Sequence, residues 1–484
     1  MELRSGRRLS SLPPRKRNKS LNRRSNRITE STPSNIDIGR DEDRISTLSD
    51  YLLLGILERV DLPSAVRAGA VSTRWQHLPH QLSHLHLDVG HFPGATPLET
   101  MDAFTGAMRR LLSTCSPAAD CNSSRAIKTL ILSFYMSSTH LCSIGRTVED
   151  VVTHSATERL EFNISLPSAN KTRFGKQFMS FSRSCRVTFR CLTRLTLKNL
   201  AFGHSDVTNL INACDRLDHL TLSCCRLVKH SALKIDTPCS GIKELKFICF
   251  MCTWIELISV PKLRQVRCVC WPFENPPVRF GYVLELRDVS LINEAMAWQA
   301  PFKLSECLSR SAKNLSRLIL HFGHQMIWIQ PEHPKNLAAI FRNLATVFLL
   351  GMFRECDLSW TLFTLEAAPA LRSITLFRHS CVKTPESSAE KTNVVWELSK
   401  DLKHLNLKVL LIFGCEDEDR VTNYIRLVME RAKGLKRIDL RGEYPCEDCN
   451  TIDLERSNVE KDGRRRIKEG LTHGSSSSVE IIIC

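Results

Sequence analysis

The chain has 484 residues, of which 43% are hydrophobic and 24% charged. These ordinary globular values allow a large core and exclude global disorder. The formal net charge of +16 suggests a nucleic-acid binder, but the first 30 residues hold ten basic and two acidic side chains. Half of the charge therefore lies in a tail, and the body is not a strong polyanion binder on charge alone.

The segment 1–42 is a basic tail with two clusters of Arg and Lys separated by a polar spacer. It has too few apolar residues to offset the entropy cost of ordering, so we expect it to be disordered. Paired basic clusters suit a nuclear-import signal, and a merely solubilising arm is the alternative.

The start of the chain lacks the apolar core of a secretory signal, and no stretch approaches the roughly 20 apolar residues that span a bilayer. We therefore expect a protein of the nucleus and/or cytoplasm with no membrane contact. In such a compartment the 20 cysteines should be reduced and mostly buried as small hydrophobic groups.

The segment 43–81 predicts three short helices. The apolar residues of the first recur at helical spacing, with Ser49 as the expected cap and Asp50 in the first turn. Pro63 begins the second helix, and Ser72 would cap a third that carries Trp75 and Leu78. So short a module cannot bury all of its apolar surface, which should meet another protein or the following domain.

This segment resembles an F-box motif in its plant form. The residues that carry the resemblance are Asp43-Arg44-Ile45-Ser46, Leu48, Asp50, Leu52-Leu53, Ile56-Leu57, Leu62-Pro63, Ala65-Val66, Val71-Ser72 and Arg74-Trp75. Ser49 departs from the Pro that is usual in the family. The alternative interpretation is an N-terminal helical cap on the next domain, which would bury the same apolar residues. The resemblance implies that an adaptor is contacted, directly or by shaping the surface, by Leu48, Leu52, Leu53, Ile56, Leu57, Val71 and Trp75.

From residue 82 to 440 a unit apolar-x-x-apolar-x-apolar recurs. Clear copies begin at Leu82, Ile127, Leu192, Leu217, Ile242, Leu263, Leu315, Leu344, Leu371 and Leu435, and less regular ones lie at Leu160/Phe162, Leu284/Leu286 and Leu407/Leu410/Ile412. Each copy predicts a short strand with one face inward, followed by a helix. The spacing is that of leucine-rich repeats, stretched by insertions. The fold class is therefore α/β, a short three-helix F-box followed by an irregular leucine-rich-repeat solenoid of strand–helix repeats.

The array resembles the divergent leucine-rich repeats of plant F-box proteins. Residues between the inward positions should line the concave face, which is polar to basic in its early half and aromatic or aliphatic in its late half. Our candidate target-binding residues are Arg194, Lys198, Lys246, Arg267, Phe348 and Phe377. The alternative for the two Phe side chains is a covering segment such as Cys381–Thr392. The basic early strands favour an acidic stretch in the target.

The segment 441–484 should cap the open end of the solenoid with a charged helix and a short strand, Val479–Ile483. It resembles the C-terminal segment of plant F-box proteins of the FBD type. The pair Cys446/Cys449 and the set Cys249, Cys252, Cys268 and Cys270 lack the arrangement of a tetrahedral zinc site, so we expect neither a metal nor a cofactor.

The common enzyme motifs are missing from the sequence, and we expect a non-catalytic protein. The resemblance implies the substrate-recognition subunit of an SCF-type cullin–RING ubiquitin ligase, with the adaptor, the cullin and an unknown target protein as partners. One alternative is a leucine-rich-repeat scaffold with no ligase role. The other is a nuclear nucleic-acid-associated protein that uses the basic tail.

Overall fold

The computed structural model describes residues 45, 47–112, 126–166, 174–271, 275–293, 301–323, 327–354, 356–379, 402–415, 419–442, 461–472 and 479–484. The chain divides into two compact units, Met1–Ser49 and Asp50–Cys484. The described part of the first unit contains a turn in which the Leu48 N–H donates to the Ile45 carbonyl at 3.1 Å. The predicted tail 1–42 and Asp43, Arg44 and Ser46 of the motif lie outside the described residues.

The second unit contains both helices and strands. The helices are α1 (Asp50–Leu57), α2 (Leu62–Val71), α3 (Pro97–Leu112), α4 (Ser138–His154), α5 (Phe174–Ser184), α6 (Arg186–Cys191), α7 (Asp206–Ala213), α8 (Leu304–Cys307), α9 (Pro334–Leu337), α10 (Phe363–Ala367), α11 (Asp419–Arg431) and α12 (Lys461–Thr472). Short 3-10 helices lie at Leu78–Gln81, Val89–His91, Phe341–Asn343 and Ser359–Leu362.

A 14-stranded parallel sheet is the main structural element of this unit. Its strands, in spatial order, are β1 (His84–Asp88), β2 (Thr129–Tyr135), β3 (Arg159–Ser165), β4 (Arg194–Lys198), β6 (His219–Ser223), β9 (Glu244–Ile248), β11 (Gln265–Val269), β13 (Asp288–Ile292), β14 (Arg317–His321), β15 (Thr346–Phe353), β16 (Ser373–His379), β17 (Val409–Phe413), β18 (Arg437–Arg441) and β19 (Glu480–Ile483). The apolar-x-apolar pairs of the predicted unit point inward, as Leu195 and Leu197 do on β4.

Strands replace the expected helices behind β6, β9 and β11. β5 (Ala201–Phe202) pairs with β7 (Arg226–Leu227), and β8 (Leu233–Asp236), β10 (Ile255–Ser259) and β12 (Val278–Tyr282) form a parallel three-stranded sheet. The repeats here are about 21 to 25 residues long, and extended backbone spans the back of such a repeat with fewer residues than a helix needs. The prediction of a strand–helix unit is wrong for this stretch.

One strand was predicted in the wrong place. The copy assigned to Leu284/Leu286 is a turn, and β13 begins at Asp288 with Val289 and Leu291 inward. Leu286 is the first apolar residue of its apolar-x-x-apolar-x-apolar unit rather than the last, so the predicted strand lies too early in the sequence.

The predicted three-helix module has two α-helices. Asp61 caps α2 by accepting the Ser64 N–H at 2.7 Å, and Pro63 lies in the first turn. In place of the third helix, residues 72–77 form turns that lead into the 3-10 helix Leu78–Gln81. Pro79 lacks the N–H that an α-helix needs, which favours the tighter, shorter element.

The charged helix and the short strand expected in 441–484 are present as α12 and β19. α12 and β19 add one more helix–strand unit, and β19 pairs in parallel with β18. The segment therefore continues the sheet as its last strand. Among the described residues no helix is both long and apolar enough to cross a membrane.

Candidate interaction surfaces

α1 divides its apolar residues between the interior and the surface. Leu53 is 1% and Leu57 4% exposed, and α1 packs on the 3-10 helix Leu78–Gln81. Leu52 and Ile56 are 50% and 47% exposed, and Val60 continues this row beyond the helix. We call Leu52, Ile56 and Val60 the α1 stripe. An exposed row of aliphatic side chains on one helix face is typical of a protein-binding surface.

The predicted adaptor-binding residues therefore play different parts. Leu53 and Leu57 are buried, so of the two roles expected for them their position allows only that of shaping the surface from inside. Val71 is 85% exposed at the end of α2, and Leu48 and Trp75 are half-buried. Tyr51, 84% exposed beside the α1 stripe, was missed because the motif comparison did not single it out.

Polar contacts hold the module in shape. Arg74 donates to Asp50 at 2.8 Å, and this hydrogen bond holds the pKa of the Asp50 carboxyl below its ordinary value. Glu58, just beyond α1, accepts hydrogen bonds from the Ser83 hydroxyl at 2.5 Å and the Ser83 N–H at 3.2 Å. The second pair ties the helices to the residue preceding β1, so the module is fastened to the first repeat.

The outward residues of the 14-stranded sheet form a second surface, which we call the open sheet face. Its register places Thr196, Thr221, Lys246, Arg267 and Ser290 side by side in one row. Lys246 and Arg267 are Cα partners on adjacent strands, and neither makes an ion pair with a described residue. Like charges opposite each other are unfavourable, which leaves this pair suited to an acidic ligand.

The other two predicted basic residues differ from this pair. Arg194 lies 3.2 Å from Glu161, so its charge is partly neutralised within the protein. Lys198 faces Ser223 at the end of β4 and is exposed. Arg194 is therefore the weakest of the four as a ligand contact.

Acidic side chains on the open sheet face are already engaged. Burial lowers the pKa of His219, and the positive charge of Arg194 lowers it further. The Glu244 carboxylate, 3.3 Å from the His219 ring, raises that pKa but does not offset the other two effects. Burial raises the pKa of Asp288, against the effect of Arg317 at 3.3 Å. Lys246 and Arg267 form no ion pair with a described residue, although the charge of Arg267 also lowers the pKa of Asp288.

The late half of the open sheet face is aromatic. Phe377 stacks on Phe413 with ring centroids 4.0 Å apart, and the Arg441 guanidinium lies 5.5 Å from the Phe413 centroid. Phe348, half-buried, lies between Ile319 and Thr375 in the neighbouring row. The segment Cys381–Thr392, considered as a cover for these rings, lies outside the described residues.

Sequence reasoning missed Phe413 and Arg441. Both follow the last inward residue of their strands, at the position that Phe377 occupies on β16, so extending the alternation by one residue would have found them. Asp439 anchors Arg441 and Arg437 at 3.2 and 2.8 Å. Burial acts to raise the pKa of Asp439, but the hydrogen bonds from Arg441 and Arg437 outweigh it and keep that pKa below its ordinary value.

Among the cysteines with a described position, Cys225 and Cys252 are free thiols. Burial raises the pKa of Cys225 and Cys252 to about 12, so both are protonated and unreactive at neutral pH. The Cys225 thiol donates to the Leu197 carbonyl and accepts the Leu200 N–H, both at 3.4 Å. Within the described ranges no three His, Cys, Asp or Glu side chains are placed to hold a metal. Cys446 and Cys449 lie outside them.

Comparison with known proteins adds three findings. Residues 175–470, more than half of the chain, match the family model described as At1g61320/AtMIF1, LRR domain. F-box protein At3g60790 of Arabidopsis thaliana is 25% identical over 272 residues, 51% of this chain and 52% of that protein. The chain thus spans about half the length of this curated relative. The structural alignment with a chain of the crystal structure of a TLR13-ssRNA13 complex covers 84% of this chain and 62% of that chain. The two are 12% identical in sequence, and the TM-score is 0.35.

Proposed function

The chain belongs to the At1g61320/AtMIF1 leucine-rich-repeat family and is a plant F-box/leucine-rich-repeat protein, and on this premise we propose that it is the substrate-recognition subunit of an SCF-type cullin–RING ubiquitin ligase. In this proposal the F-box helices bind the adaptor, and through it the cullin, while the open sheet face holds the target. The protein is not itself an enzyme. It raises the effective concentration of the target near the ubiquitin-loaded enzyme.

One observation carries the adaptor half of the proposal. The α1 stripe stays on the surface although Leu53 and Leu57 fix the same helix from inside. A helix that only capped the first repeat would need no exposed Leu52 and Ile56. Supported from within and apolar outside, α1 meets the requirement of a docking helix.

The target half rests on the two parts of the open sheet face. Lys246 and Arg267 are cations without carboxylate partners among the described residues, and Phe348, Phe377 and Phe413 follow several strands later. This order suits a target segment that carries acidic residues at one end and apolar side chains at the other.

We also propose nuclear and/or cytoplasmic localisation, with the basic tail 1–42 as the import signal.

The adaptor assignment is tested by placing charge on the α1 stripe. Leu52→Glu with Ile56→Glu should abolish co-purification of the adaptor and the cullin from plant cells, because two carboxylates would be buried without partners at the interface. The thermal midpoint should stay unchanged, since both side chains are about half exposed. The measurement is quantitative immunoblotting of tagged full-length protein.

The matched control is Val228→Glu with Leu405→Glu, which adds the same charge at exposed apolar residues outside the F-box. This control should retain the adaptor. Retention by both double variants would contradict the ligase assignment and favour a scaffold without a ligase role, as would absence of the adaptor from the wild-type preparation.

A further inference from the structure

A cavity of about 610 Å³ lies where α2 meets the first repeat. Its walls come from α2, from the 3-10 helix Leu78–Gln81 and the turn before it, from β1 and the 3-10 helix after it, and from the last turns of α3. The apolar lining includes Leu62, Val66, Leu87, Phe92 and Leu111. Small-molecule sites are typically cavities of about 300–1,000 Å³ with mostly apolar walls and a few polar groups.

Two cationic side chains lie among the polar groups of this cavity, which also include Gln76, Asp88 and three histidines. Arg67 of α2 and Arg110 of α3 are exposed and line it from two different elements. Neither forms an ion pair with a described residue. Arg67 donates to the Ser64 hydroxyl at 3.2 Å and acts on the nearby Asp61, whose low pKa is due first to hydrogen bonds from Ser64.

Asp88 is the acidic residue among the lining side chains, and its carboxylate already accepts the Gly90 N–H at 2.8 Å. His86 and His91 supply further ring nitrogens around the same cavity. The charged groups that line the cavity are therefore two guanidinium groups and one carboxylate that already accepts a hydrogen bond. A guanidinium binds a carboxylate in a two-point geometry, which an ammonium cannot imitate.

We propose that this cavity binds a small amphipathic monocarboxylate, with its apolar body between α2, β1 and α3 and its carboxylate held by Arg67 and Arg110. A free small molecule fits better than a protein segment, because the volume lies in the range of small-molecule sites and the lining comes from several separate elements. The lining residues include none of the α1 stripe and none of the candidate target-binding residues, so the binding of decanoate does not depend on the proposed ligase role.

The probe is decanoate, titrated calorimetrically below its micelle concentration into the full-length protein. We expect saturable binding at one site and a rise in the thermal midpoint, since a ligand bound to the folded state stabilises it by mass action. Decyltrimethylammonium, which has the same chain length and the opposite charge, should not bind measurably. Equal binding of the two, or no saturable binding of decanoate, would overturn the proposal.

Two variants locate the site. Arg67→Gln with Arg110→Gln should weaken the binding of decanoate at least about tenfold, or by about 1.4 kcal/mol. The control is Arg186→Gln with Arg310→Gln, which changes two other exposed arginines. It should bind decanoate as the wild type does. Ala70→Trp fills the cavity from an exposed lining position and should abolish binding without changing the circular dichroism spectrum. Unchanged affinity in either variant would refute the assignment.

Discussion

Lys246 and Arg267 lie opposite each other on β9 and β11 in the middle of the open sheet face. Arginines elsewhere on this face are compensated, as Arg317 is by Asp288 and Arg437 by Asp439. An uncompensated pair lowers the stability of the folded protein slightly. It also supplies two charges that a target can neutralise, which makes these two residues the sharpest test of target binding.

Reversing one charge of this pair should have opposite effects on stability and binding. Lys246→Glu converts repulsion into attraction and should raise the free energy of unfolding by about 0.2–1 kcal/mol, measured by urea denaturation. Lys246→Glu with Arg267→Glu should remove the target proteins that the wild type labels in a proximity-labelling experiment under proteasome inhibition.

The control for this prediction is Lys262→Glu with Arg310→Glu, which changes the net charge equally at exposed positions outside the strands of the sheet. It should leave the labelled set intact. If both double variants label the same proteins as the wild type does, the central cations do not bind the target.

At the scale of single elements, α1 separates stability from recognition within eight residues. Leu53 belongs to the interior, and its neighbour Leu52 is half exposed. The helical period predicted a stripe of apolar residues correctly. It could not say where the covered part of the stripe ends, because that depends on how closely the 3-10 helix Leu78–Gln81 and the first repeat approach.

Leu53→Ala and Leu52→Ala should therefore behave differently. Leu53→Ala leaves a cavity and should cost about 2–5 kcal/mol locally, seen as faster hydrogen exchange in α1. Leu52→Ala should leave exchange unchanged and weaken the adaptor complex. Similar exchange in the two variants would show that α1 is not anchored as described.

The middle repeats show the same dependence on context. Asn199, Cys224, Cys249 and Cys270 follow β4, β6, β9 and β11 with φ between 48° and 64°. Non-glycine residues rarely adopt this conformation. Its recurrence at the equivalent position, with the Cys224 N–H donating to the Ile248 carbonyl at 2.7 Å, marks where each strand turns toward the back of the repeat. Residue type alone does not predict this conformation for cysteine.

At the scale of the whole molecule, the second unit is a stack in which each repeat buries its apolar face on its neighbours. α1 and α2 cover the β1 end through buried residues such as Ala65, and α12 lies beside α11 near the β19 end. Ile467 and Leu471 of α12 are buried, and the Gly470 carbonyl accepts two hydrogen bonds from Arg426 at 2.7 and 3.0 Å. The C-terminal unit thus protects the last full repeat.

Leu471→Ala should destabilise this end of the stack by about 2–5 kcal/mol, because it removes a fully buried side chain. In a repeat array the effect should stay near the substitution, so hydrogen exchange should accelerate in β18 and β19 but not in β4. The exposed Arg465→Ala is the control and should change neither. Uniform acceleration along the sheet would show that the unit unfolds as a whole.

The sequence by itself determined the parallel repeat fold, the position of nearly every strand of the 14-stranded sheet and the F-box resemblance, because apolar spacing and turn residues act locally along the chain. Only the tertiary structure decided that Leu53 and Leu57 are interior and that strands replace helices behind β6, β9 and β11. It also brought Arg67 and Arg110, 43 positions apart in the chain, to one cavity. These outcomes depend on how closely separate elements pack, and periodicity within a single element carries no information about that distance.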